Sequence, residues 1–81
     1  MKKSITVIYF ALFREKAGIN QEVILTEVNS AADLFLELKY RHQLNEPQGH
    51  CKIAINDNLA TWDAEIDDGD TVLLFPPVAG G

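Results

Sequence analysis

The sequence predicts an α+β domain in which one main helix packs on one face of a small mixed sheet. Three observations predict it. Two strand-like segments open the chain, one amphipathic stretch with a helix-start signal follows, and a last apolar strand-like run ends at two prolines. The chain has 81 residues, which at roughly 100–200 residues per domain leaves room for one domain only. Its 47% hydrophobic and 23% charged residues are those of a globular domain rather than a disordered chain. A domain this small has a thin core, so its chemistry is expected at the surface.

In an extended chain Ile5, Val7 and Tyr9 point one way and Thr6, Ile8 and Phe10 the other. Both faces are largely apolar, which predicts a central strand. Arg14 to Ala17, stopped by Gly18, reads as a single helical turn. Gln21 to Glu27 alternates, with Val23 and Leu25 on one face and Glu22, Ile24 and Thr26 on the other, as in a half-exposed strand pairing with the first. Ser30 and Asp33 resemble a capping box that starts a helix. In that helix Ala31, Leu34, Phe35, Leu38 and His42 form the packed stripe, and Asp33, Glu37 and Arg41 form a wet face. Asn45 to Gly49, around Pro47, end the helix and loop back.

Cys51 to Ile55 alternates around Ile53 and Ile55. Asn56, Asp57 and Asn58 are residues that tolerate a left-handed turn, and Leu59 to Trp62 returns as a short strand. Asp67, Asp68, Gly69 and Asp70 turn the chain into Thr71 to Phe75, a strand expected to be buried on both faces. The order is the plan of a ubiquitin-like β-grasp. The expected domain is 1–75, with 76–81 an extended flexible tail, and Leu34, Phe35 and Leu38 are expected to bury against Val7, Val23, Ile55, Val72 and Leu74.

Composition excludes several functions. The net charge of -5, twelve acids against seven Lys and Arg, repels phosphate backbones and argues against a nucleic-acid partner. The single cysteine, Cys51, forms no internal disulfide and fits a reducing cytoplasm. Lys2 and Lys3 before the run Ile5 to Phe13 imitate an export signal, but no cleavage site follows and Arg14, Glu15 and Lys16 close the run. No apolar stretch reaches the ~20 residues needed to cross a bilayer. The expected location is cytoplasmic, with no membrane association.

Asp57, Asp63, Glu65, Asp67, Asp68 and Asp70 crowd one region. Counted as a calcium loop from Asp63, the run puts Asp68 where Gly is needed and Leu74 where a bidentate Glu is needed, so no metal site is assigned. A solvated loop, or an acidic surface for a basic partner, is the expectation. His42, His50 and Cys51 lack zinc spacing, and Cys51 has no evident base to make it a nucleophile.

The chain end is the informative segment. Pro76 and Pro77 stop the strand, and Val78, Ala79, Gly80 and Gly81 then shrink the side chains to nothing. Two glycines place no Cβ near the last carboxylate, so a partner's backbone groups approach it closely enough for activation and transfer. Such a tail fits a narrow channel in another protein.

The phrase Phe75-Pro76-Pro77-Val78-Ala79-Gly80-Gly81 after Asp68-Gly69-Asp70 resembles the ending of the small, sulfur-carrier subunit family of molybdopterin synthase. Tyr9-Phe10-Ala11-Leu12-Phe13-Arg14-Glu15 with Gly18, and Ala54-Ile55-Asn56, look like that family's first strand and turn and its third strand. The resemblance implies a carrier that is not catalytic alone and holds no permanent cofactor. Its Gly81 carboxylate is adenylated at the expense of ATP by an E1-like adenylyltransferase, and a sulfur donor converts it to a thiocarboxylate. The tail then enters the large synthase subunit, in a heterotetramer of two large and two small subunits, and sulfur passes to cyclic pyranopterin monophosphate. Gly81 and Gly80 are the reactive end. Phe10, Phe75, Pro76, Pro77, Val78 and Ala79 are the expected partner-binding residues. A carrier for thiamine or tRNA thiolation, a ubiquitin-like protein modifier and a plain interaction domain are the alternatives.

Overall fold

The computed structural model describes residues 2–77. Five strands, β1 (Lys3–Tyr9), β2 (Gln21–Thr26), β3 (Lys52–Ile55), β4 (Asn58–Ala60) and β5 (Thr71–Phe75), form one sheet in the order β2-β1-β5-β3-β4. β1 runs parallel to β5 and antiparallel to β2, while β3 is antiparallel to both β5 and β4. A short helix α1 (Ala11–Ala17) follows β1, and the main helix α2 (Ala31–His42) covers one face. This is the mixed sheet and single covering helix expected from the sequence.

The core lies between α2 and that face. Leu34, Leu38, Ile5, Val7, Val72 and Leu74 are completely buried, with Ile53, Ile66 and Tyr9 nearly so. Local chemistry sets the element ends. The Ser30 Oγ accepts the Asp33 N–H at 3.2 Å, capping α2. Its far end closes with Gln43 in the left-handed region (φ 55°), which turns Leu44 back under the helix into the core. Gly18 (φ 78°) ends α1. Asn56 and Asp57 both take positive φ, as a two-residue hairpin turn requires. Several crowded acids stitch these turns. Asp68 accepts the Ser4 N–H at 2.7 Å, and Asp70 accepts from Asn56 Nδ2 at 2.9 Å.

Four expectations are corrected. Val23 does not face the helix. It is 64% exposed, whereas Ile24 is 2% exposed, so Glu22, Ile24 and Thr26 form the inward face of β2. This phase holds because both polar residues find partners beneath α2: Thr26 Oγ1 donates to Glu37 Oε1 at 2.6 Å, and Glu22 is bonded from two sides. The same bond makes Glu37 half-buried rather than wet. The helical turn after β1 is longer than its charged residues indicated. It begins at Ala11, where the chain reverses with φ 50°, and it buries Phe13 completely. Finally, β5 is fully buried on one face only, since Leu73 and Phe75 on the other are half-buried.

Two tests check this packing. Leu38→Ala is expected to cost about 2–5 kcal/mol as a cavity in a close-packed core. Ile24→Ala is expected to destabilise on a similar scale while Val23→Ala stays within about 0.5 kcal/mol. Denaturant unfolding measures both, and the reverse order at positions 23 and 24 would show the other strand phase.

Candidate tail-root docking site

The parallel register pairs Tyr9 with Leu74, so the next residues, Phe10 and Phe75, arrive side by side. Phe10 has already left the ladder, holding extended backbone (φ -122°, ψ 148°) as the residue before α1. The two rings stack with centroids 4.6 Å apart and planes 15° from parallel. Both are half-buried and lie outside the buried core cluster. They belong to the sheet face that α2 does not cover, because Phe75 follows Thr71 and Leu73 in the alternation opposite Val72 and Leu74. Pro76 and Pro77 leave the ladder directly beyond them and are also half-buried. Sequence reasoning therefore brought together Phe10, Phe75, Pro76 and Pro77, and the structure does too. Val78, Ala79, Gly80 and Gly81 lie outside the described residues.

Behind the aromatic pair stands a polar network that sequence reasoning did not find. Glu22 Oε2 accepts from Tyr9 Oη and from His42 Nε2, each at 2.5 Å, and Arg41 lies 4.0 Å from its other oxygen. The His42 and Tyr9 rings meet edge to face at 5.3 Å. Burial alone pushes the Glu22 carboxyl up, but the two hydrogen bonds and the nearby His42 and Arg41 outweigh it, holding the group below its ordinary value. Burial, followed by the bond to Glu22, pushes the Tyr9 phenol far up, so it stays a donor. The network ties the C-terminal end of α2 to β1 and β2 at the end of the domain where the tail leaves. The signal was Glu22 sharing a strand face with Ile24, legible only once its partners are known.

Cys51 is buried immediately before β3 and its thiol donates to the Pro47 carbonyl at 3.3 Å. Burial first, then the charge of Glu46, pushes this thiol up and away from the thiolate form. Among the described residues no group of three or more His, Cys, Asp or Glu is arranged to hold a metal ion, and no helix is long and apolar enough to cross a membrane. Two surface depressions, one at the C-terminal end of α2 around Tyr40 and Leu44 and one around Lys3 and Glu65, are not lined by Phe10 or Phe75. The geometry offers a half-buried aromatic and proline surface where β5 ends.

The ThiS family model matches residues 7–81. The chain belongs to the ThiS family. It is 35% identical over 81 residues to the molybdopterin synthase sulfur carrier subunit of Chlamydomonas reinhardtii, covering 95% of this chain and 98% of that protein. A solved structure assigned as molybdopterin converting factor subunit 1 from Pyrococcus furiosus is 37% identical, with a TM-score of 0.76 over 94% of this chain and 99% of the other. A complex of subunits 1 and 2 of molybdopterin-converting factor from Helicobacter pylori contains a chain 32% identical to this one, with a TM-score of 0.62 over 96% and 99% of the two chains. The ThiS-family chain thus shares fold and near full length with these proteins.

The Glu22 network generates a pH prediction. A carboxylate whose folded value is depressed contributes stability that is present above its ordinary value of 4.5 and lost as pH falls through the lower folded value. Glu22→Gln is expected to lower stability at neutral pH by about 1–3 kcal/mol and to shrink the loss below pH 4.5. Thermal melts from neutral to acid pH measure it. Identical acid limbs for both proteins would remove Glu22 from this role.

Proposed function

We propose that this ThiS-family chain is a sulfur carrier of molybdenum cofactor biosynthesis, whose Gly81 carboxylate carries the sulfur as a thiocarboxylate. The observation that carries this reading is the family match extending to residue 81, through Gly80 and Gly81, beyond an aromatic and proline tail root. A free carboxylate is a poor acyl donor. Attack of its oxygen on the α-phosphorus of ATP releases pyrophosphate and leaves an acyl adenylate. A sulfide-level nucleophile then adds to that carbonyl and expels AMP, splitting one hard step into two easier ones. ATP binds to the E1-like activating enzyme and is consumed there, not held by this chain.

The sulfur-loaded tail enters the large subunit of molybdopterin synthase, its sulfur bonds to cyclic pyranopterin monophosphate, and water hydrolyses the acyl–sulfur bond, leaving the sulfur on the pterin and restoring the Gly81 carboxylate. Two carriers serve one dithiolene, which fits a heterotetramer with two small subunits. The relative in complex with its second subunit supports this choice of partner. In this reading the chain works as a handle in the cytoplasm. Its fold holds the docking surface, and the chemistry of each step is supplied by the enzymes that bind it.

Incubation with activating enzyme, ATP and a sulfur donor is expected to add to the terminal peptide the mass of sulfur replacing one oxygen. No such mass, with an activating enzyme competent on another carrier, would defeat the reading. Stable isopeptide links from Gly81 to many cellular lysines would favour a protein modifier instead. Phe75→Ala is expected to weaken large-subunit binding by about 2 kcal/mol with a much smaller effect on the melting temperature. A destabilised variant whose folded fraction binds at full strength would make Phe75 a structural residue only.

A further inference from the structure

The net charge of -5 hides a strong polarity. β1 and β5 both end, and β2 and β3 both begin, at the end of the domain where Pro76 leaves. That pole therefore gathers α1, the last turns of α2 and the loop before β3. It holds Arg14, Lys16, Lys39, Arg41 and Lys52, five of the seven Lys and Arg, against only Glu15, Glu22 and Glu46 of the twelve acids. Glu46 is already paired with Lys16 at 3.3 Å, and Glu22 is held by Tyr9, His42 and Arg41. Of the other nine acids, Glu37 sits midway along α2 and pairs with Arg41 at 3.6 Å, and the remaining eight lie toward the opposite pole with only Lys2 and Lys3, of which Lys3 is tied down by Val28, Asn29 and Ile66.

Two of the tail-pole cations frame the aromatic pair. Lys52 is the cross-strand partner of Phe75, exposed on the same open face, and Arg14 is exposed on α1 one helical turn beyond Phe10. Among the described residues neither has an acidic partner. The helix α2 spans the two poles and is about 18 Å long. That exceeds the screening length of about 8 Å at physiological salt, so the distant acids do little to cancel the field of the nearby cations.

Resting on the carrier reading above, we infer that Arg14 and Lys52 form a basic collar around the Phe10–Phe75 root, and that it docks against an acidic rim at the mouth of the large subunit's tail channel. Charge complementarity steers encounter more than it strengthens the final complex, so the collar acts on the association rate and turns the tail toward the channel. The acidic pole adds to this by repelling the same rim when the molecule approaches the wrong way round.

Net charge and local collar predict opposite salt effects, which makes the proposal testable. Association of the chain with the large synthase subunit of the same organism is followed by stopped flow upward from a low-salt limit of about 0.1 M, where the screening length of about 10 Å still separates the two poles. Attraction through the collar gives a rate that falls as salt rises, although the chain is net acidic. The double variant Arg14→Glu/Lys52→Glu is expected to associate about tenfold more slowly at low salt, with a nearly unchanged dissociation rate. Arg14→Gln/Lys52→Gln should fall between it and the wild type, and melting curves check that each variant folds. Lys2→Glu changes the net charge by as much as the double Gln variant, but at the opposite pole, and is expected to stay within twofold of wild type.

A rate that rises with salt, a rate indifferent to both double variants, or an equal slowing by Lys2→Glu would overturn the collar. If the wild type binds and passes on its sulfur while any of these holds, the collar alone fails. A wild type that neither forms a thiocarboxylate nor binds the large subunit brings down the carrier reading and the collar together.

Discussion

The parallel ladder between β1 and β5 is the constraint on which the rest of the molecule depends. It joins Thr6 to Thr71 and Tyr9 to Leu74, so the two ends of the chain meet in the middle of the sheet. A parallel pair needs a long crossover between its strands, and everything from Ala11 to Asp70 is that crossover. The helix, the hairpin of β3 and β4 and the edge strand β2 are all fitted around one register. That register also decides the site. Shifted by one residue, every inward side chain of β1 would turn outward, and Phe10 would no longer arrive opposite Phe75.

The polar groups under α2 show how the same sheet fixes the helix. Glu22 and Thr26 sit on a face that is otherwise core, and each is satisfied by a side chain from the helix, Glu22 by His42 and Thr26 by Glu37. A buried hydrogen bond adds little net stability, but leaving one partner unmet is costly. A slide or rotation of α2 on its apolar stripe would break both contacts together. The network thus specifies one placement of the helix among the several that Leu34, Phe35 and Leu38 alone would permit.

Much of the fold was legible because its signals are local. Ser30 and Asp33 marked the helix start, Gly18 the end of the first turn, Asn56 and Asp57 the hairpin, and the two prolines the end of β5. Each acts through its own backbone, so a single residue carries the message. The face of β2 was not legible. Val23 and Leu25 offer more apolar area than Ile24 between Glu22 and Thr26, and the choice reverses only when Tyr9, His42 and Glu37 are brought to those polar residues by the tertiary fold. Leu44 was hidden for a similar reason, since it enters the core only because Gln43 turns left-handed behind the helix. At the tail root the aromatic pair was readable from its place before Pro76 and after Tyr9, while the cations beside it required the strand register.

β5 lies between β1 and β3, so a chain continuing straight on would go on pairing with both neighbours. Proline has no amide proton to give, and two in succession deny the ladder its next donors. Pro76 and Pro77 therefore release the chain from the interior of the sheet rather than from an edge, and they do so directly beyond the stacked rings of Phe10 and Phe75. A partner that grips this root grips the two most central strands, so force or alignment applied to the tail is borne by the core of the domain. The aromatic and proline root is thereby fixed as a rigid reference point at the centre of the sheet.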